Sequence, residues 1–210
     1  MLLPLAGAAI IAALPKSNEK AAKQAALGTT LVVMAVTIAM AVGFQRDNVD
    51  LQFVEKYEWI PSFGINFALG LDAIALVLIL MSTILAPIVV LAGWDEAHGG
   101  RWSVKTFYIL ILVLETMMIG VFAATDLFLF YVIFEAMLIP VYFLIGGYGT
   151  GERSAAAVKF LLYSLFGGLL MLASIIALYV MSGAQGGHTF DLAKLSQLQM
   201  SSTTQNLLFL

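Results

Sequence analysis

The strongest constraint on this chain is a succession of long apolar runs that charged residues scarcely interrupt. Runs of near-spanning length fall at about 25–44, 67–93, 106–124, 127–147 and 155–181, with a shorter one at 1–14. A helix crossing a ~30 Å hydrocarbon core needs ~20 such residues. Only helices and closed barrels satisfy their own backbone in lipid. The two-residue alternation of a membrane barrel strand is missing here. Of the 210 residues, 11% are charged, under half the roughly 25% of an ordinary globular domain. Lipid, not water, is therefore the main solvent. The expected fold is an all-α polytopic membrane protein with six transmembrane helices and, at 206–210, the opening of a seventh. The first run is short for a span, so Met1 either lies inside a helix already begun or opens one that barely crosses.

Lys and Arg counts in short loops set the expected orientation. Lys16, Lys20, Lys23, Arg101, Lys105 and Arg153 fall on one side, and Arg46, Lys56 and Lys194 on the other. The first set is expected in the cytoplasm, which turns residues 45–66, with Asp47, Asp50, Glu55 and Glu58, outward. Trp59, Trp94 and Trp102 fall near the expected helix ends, as interfacial anchors do. The chain has no cysteine, so disulfides, thiolate catalysis and Cys-held clusters are excluded. Its two histidines, His98 and His188, fall in loops. They make no pair to hold a haem between helices, and no flavin or dinucleotide fingerprint occurs. A net charge of -3 without a basic, aromatic-interleaved cluster gives nucleic acid no surface to bind.

Four ionisable residues, Asp72, Glu115, Glu135 and Lys159, fall within the apolar runs. Such residues are rare in membrane helices and mark functional sites by default, because a charge at mid-depth costs ~2.5–3.5 kcal/mol on insertion scales. Asp72 falls near the outer end of the third helix, and Asp126 where the fifth begins. Both read as helix-end residues, Asp126 as a cap. Glu115 lies ten residues before Thr125 and Glu135 ten after it. With a tight turn there, both carboxyls sit ~15 Å below it on adjacent antiparallel helices. If they face each other, they cannot both be charged cheaply and titrate as a unit. A carboxyl so placed is a proton-holding site. The alternative is a permanently protonated acid that only packs.

Pro140 removes the N–H that would bond the carbonyl of Ala136, freeing a polar group beside Glu135. A simple kink is the other reading. Lys159 sits ~7–8 Å inside the sixth helix. It either snorkels to the surface or faces inward as a cation that biases Glu135. Tyr131, Tyr142, Tyr163 and Ser164 could line a wetted path or simply pack. Gly146, Gly147 and Gly149 fit a helix stop, and Gly167 and Gly168 a close-packing face without chemistry.

GVFAATDLFLFYVIFEAMLIPVYFLIGGYG (120–149) strongly resembles the fourth-to-fifth helix region of the antiporter-like subunits of respiratory complex I, above all the M-type subunit, counterpart of mitochondrial subunit four. LGLDAIAL (69–76), AAAVKFLLYSLFGGLLML (155–172), LPLAGAAIIAALP near the start and TFDLAKLSQLQMSS near the end agree with it. The resemblance implies a fold of roughly fourteen helices with two inverted five-helix repeats. Residues 1–105 would then be helices one to three, and 106–210 the first part of the first repeat. It also implies that Glu135 is the key glutamate of helix five, that Lys159 holds an often basic position on helix six, and that a partner lysine lies on a broken helix shortly past Leu210.

The activity so implied is proton translocation in NADH:quinone oxidoreductase. Glu135, Lys159 and Glu115 would transfer protons, with no cofactor in this chain. NADH, FMN, iron–sulfur clusters and quinone belong to other subunits, and the partners are the other membrane-arm subunits and the lipid bilayer. The expected location is the bacterial inner membrane. A subunit of a multisubunit sodium/proton antiporter or membrane-bound hydrogenase, and a structural membrane subunit without a proton path, are the alternatives.

Overall fold

A computed structural model describes residues 1–15, 18–45, 50–95, 100–185 and 187–209. Lys16, Arg46, Asp47 and His98, weighed above, lie outside the described residues. The elements in order are α1 (Leu3–Ala13), α2 (Glu19–Gly43), β1 (Gln52–Ile60), β2 (Ile65–Leu71), α3 (Ala73–Ala92), α4 (Val104–Ala123), α5 (Leu127–Tyr148), α6 (Arg153–Gly183), α7 (Leu192–Leu195) and α8 (Ser202–Phe209). Polar side chains start the helices where the apolar runs begin. Asn18 accepts from Ala21 N, Asp72 from Ala75 N, Ser103 from Thr106 N, and Asp126 from Phe128 N and Leu129 N. Each satisfies N–H groups that the first helical turn leaves without partners.

Among the described residues five helices, α2 to α6, are long and apolar enough to cross a membrane. The six expected spans are thus five by length. At 11 residues, α1 is ~16 Å long, about half a hydrocarbon core. It packs against α4 and α2.

The start of the third run is also corrected. Residues 65–71 are a strand, antiparallel to β1 with Ile60 opposite Ile65 and Tyr57 opposite Phe67. A short apolar segment is as compatible with a covered strand as with a helix. Two features decide here. Gly64 at φ 68° closes the turn after Pro61–Phe63, a conformation glycine adopts without strain, and Asp72 caps α3 so that the helix starts after it. The fold is mostly helical with one hairpin, not all-α. Trp59 accordingly lies on β1 and not at a helix end.

Consecutive helices pack antiparallel, and the loops divide between two ends. At one end the hairpin, the α4–α5 turn and the segment before α7 are knitted together. Thr125 N donates to Ala68 O (3.0 Å), Leu127 N to Phe190 O (2.8 Å) and Leu192 N to Thr125 O (3.0 Å). At the other, Lys105 Nζ donates to Ala12 O and Leu14 O at 2.7 and 2.6 Å, closing the end of α1. Lys23 donates to Trp94 O there and lies 5.5 Å over its ring. The loops that the basic-residue count groups together do share this end.

Two apolar clusters fill the packing of α1 to α5. The one near the lysine-rich end contains Ile11, Ala26, Val90, Tyr108 and Leu112. The one near the hairpin contains Val33, Leu69, Ile79, Ile119 and Ile133. Along α2, α3 and α4, the residues between them are polar and buried: Thr30, Thr83, Glu115 and Thr116.

Candidate functional site

The short 149–152 connection makes α5 and α6 antiparallel neighbours. One register carries their contacts. A side-chain carbon on Gly146 would lie 3.4 Å from the Cβ of Ala157. Eleven residues away on each helix, the carboxyl of Glu135 lies against Gly168. Toward the hairpin end, Phe128 and Tyr131 pack against the cluster of Ile65, Ile175 and Phe190. Phe128, Tyr131 and Glu135 follow helical spacing, so Glu135 is on the face of α5 that meets α6. Ile133 packs with α4 residues in the other cluster.

Glu135 is half-buried, eight residues into α5, and its Oε1 has no hydrogen-bond partner among the described residues. A buried carboxyl oxygen without a partner is costly, so the position is not maintained by hydrogen bonding within this segment. Pro140, buried within a continuous α5, withholds a donor from the Ala136 carbonyl next to it.

Glu115 is 1% exposed and neither of its oxygens has a hydrogen-bond partner among the described residues. It belongs to the polar layer between the two apolar clusters. The hydroxyls of that layer turn to their own helices: Thr30 donates to Leu27 O (3.0 Å), Thr83 to Leu80 O (3.1 Å) and Thr116 to Leu112 O (2.9 Å). Each hydroxyl oxygen keeps acceptor capacity. Pro87, inside α3, has no N–H for the Thr83 carbonyl. The hydroxyl hydrogens of the layer are used within their own helices, and neither Glu115 oxygen is hydrogen-bonded to the layer among the described residues.

The two acids share a depth but not a hydrogen bond. The arrangement in which they face each other and share a proton is therefore not found. Lys159 is exposed. It lies nine positions from Gly168, half a turn around α6 at 100° per residue, on the side turned away from α5. Tyr163, one turn on, is 79% exposed. The inward-facing Lys159, paired with Glu135 across α5–α6, is not what this segment builds. Asp72 and Asp126 are helix caps.

Gly168 is the site residue that sequence reasoning missed, being read as packing alone. A signal existed. Glu135 lies 13 residues before the end of α5 and Gly168 15 residues after the start of α6, which an antiparallel hairpin places at one level.

A family model described as "NADH:quinone oxidoreductase/Mrp antiporter, TM" matches residues 124–210. The "NADH-quinone oxidoreductase subunit M" of Mycobacterium tuberculosis (strain ATCC 25618 / H37Rv) is 44% identical over 217 residues, covering 90% of this chain and 39% of that protein. Over nearly its whole length the chain is similar to subunit M of NADH-quinone oxidoreductase. The subunit M of Rhodobacter capsulatus is 38% identical, over 99% of this chain and 42% of its own length. "NADH-ubiquinone oxidoreductase chain 4" of Marchantia polymorpha is 34% identical, over 100% and 41%. The chain spans about two fifths of the length of the curated relatives it matches.

Its fold matches a chain of respiratory complex I from Thermus thermophilus with a TM-score of 0.80 at 26% identity, over 99% of this chain and 40% of that one. The Mrp complex of Dietzia sp. gives 0.78 at 20%, over 99% and 22%, a likeness of fold alone. Glu135, Lys159 and Gly168 lie within the segment the family model matches, and Glu115 just before it.

Proposed function

We propose that this segment forms part of a proton path in the membrane arm of an NADH:quinone oxidoreductase, with Glu135 as the group that takes up and releases the proton. The observation that carries this reading is the placement of Glu135. A carboxyl is held deep in a spanning helix, against a bare stretch of the neighbouring helix, with an oxygen that has no hydrogen-bond partner among the described residues. A group of that kind exchanges a proton because neither of its states is locked by a fixed partner. A cation brought near favours the carboxylate, and its withdrawal favours the neutral acid.

Within this segment Lys159 points away from α5, so it acts through whatever covers the outer face of α6. The cation that meets Glu135 is the lysine that the family resemblance places past Leu210. Glu115, in its layer of threonines, stores a proton on the α2–α4 side. Quinone reduction in other subunits, which hold NADH, FMN, iron–sulfur clusters and quinone, supplies the free energy. The partners are the adjoining membrane-arm subunits, and the location is a bacterial inner membrane. On this reading α1 is the sixth, short span, α8 opens a seventh, and α4 begins the first five-helix repeat.

The test is Glu135→Gln in the full-length subunit within the intact complex. Proton pumping and coupled quinone reduction are expected to collapse while the complex assembles. Retention of both would leave Glu135 a packing acid and reject the reading. Copurification of NADH-oxidising subunits separates it from a sodium/proton antiporter.

A further inference from the structure

We infer that Gly168 is a positioning residue for Glu135: the missing side chain on α6 is the seat that holds the carboxyl on the α5–α6 face. The inference rests on the proton role of Glu135. A side-chain carbon built on Gly168 would run into Glu135 Oε1, and would lie 2.7 Å from the carboxyl carbon and 3.3 Å from Oε2. All three carboxyl atoms therefore occupy the space that any other residue at 168 fills. The obstacle is local, since a side-chain carbon on the adjacent Gly167 would meet nothing within 4 Å. The two glycines have the same helical cost, yet only one is demanded by a neighbour.

Gly168 is also buried on the stripe of α6 that includes Ala157 and Ile175, so the clash cannot be relieved by turning a methyl group outward. Glu135 cannot withdraw freely either. Its helix is capped by Asp126 and packed on its other face by Leu129 and Ile133. A methyl group at 168 must push the carboxyl along or around α5, away from its present reach. A misplacement of about 1 Å at a reacting group can cost on the order of 100-fold in rate.

The experiment uses the full-length subunit in the intact complex and compares Gly168→Ala, Gly167→Ala, Glu135→Asp, Glu135→Gln and the double variant Gly168→Ala/Glu135→Asp. The readout is the rate of proton pumping and of coupled quinone reduction, alongside assembly. Gly168→Ala is expected to lower both rates on the order of tenfold or more, with Gly167→Ala at the wild-type values. The aspartate, shorter by one methylene, makes room for the new methyl, so the double variant is expected to exceed Gly168→Ala alone. If Gly168→Ala prevents assembly, the same double variant is expected to restore it. Equal rates for the two alanine variants, or a double variant no better than Gly168→Ala in rates and assembly, overturn the inference. Glu135→Gln reports separately on the proton role: if it pumps normally, that reading fails whatever Gly168 does.

Discussion

The backbone N–H of Asn66, on β2, donates to Asp126 Oδ2 at 3.0 Å, while Oδ1 of the same carboxylate accepts from Phe128 N and Leu129 N at 3.0 and 3.1 Å. One side chain, 2% exposed, thus caps the helix that carries Glu135 and ties it to the hairpin. Replacing Asp126 by Ala leaves three N–H groups without that partner, two of them at a helix start. The expected loss is about 2–4 kcal/mol, read as earlier thermal dissociation of the detergent-solubilised complex. Asp126→Asn keeps an oxygen for the cap and loses only the tie to Asn66, so it should fall between wild type and Asp126→Ala. Equal losses for both variants would mean that the cap contributes nothing.

Glu115→Leu separates storage from packing. Leucine removes two buried oxygens that have no partner among the described residues and fills similar space, a change that is near neutral or stabilising when no hydrogen bond is lost. The complex should assemble with unchanged or higher thermal stability, and protons moved per electron should drop. A normal ratio would show that Glu115 takes no part in transfer.

Lys159→Met tests the direction in which the lysine acts. The side chain lies half a turn from Gly168 and is exposed on α6, so its loss does not disturb the seat of Glu135. Pumping should decrease less than in Glu135→Gln. An equal loss would mean that Lys159 is the direct partner of that glutamate.

Pro140→Ala gives the Ala136 carbonyl its helical donor back. Removing a proline from a helix interior restores one hydrogen bond, so thermal stability of the complex should be unchanged or higher. If the freed carbonyl serves the proton near Glu135, pumping falls. Normal pumping in a stable complex would reduce Pro140 to a bend.

Much of this architecture was readable from the chain because lipid imposes a simple rule. Long apolar runs gave the five long helices, Asp72 and Asp126 were placed at helix ends, and Glu115 and Glu135 were placed at one depth by counting from Thr125. The failures have a common cause. Residues 65–71 are apolar enough for a helix, and their pairing with β1 is a contact that no local pattern reports. The direction of Lys159 and the separation of the two acids depend on which faces of α4, α5 and α6 meet.

Hydropathy and helical rise, both local properties, determined that this chain spans a membrane and how deep its ionisable groups lie. Rotation of each helix about its axis is set by packing against neighbours distant in sequence. Only the tertiary structure therefore decided that Glu135 turns to α6, that it rests on Gly168, and that Glu115 sits among threonines instead of opposite Glu135.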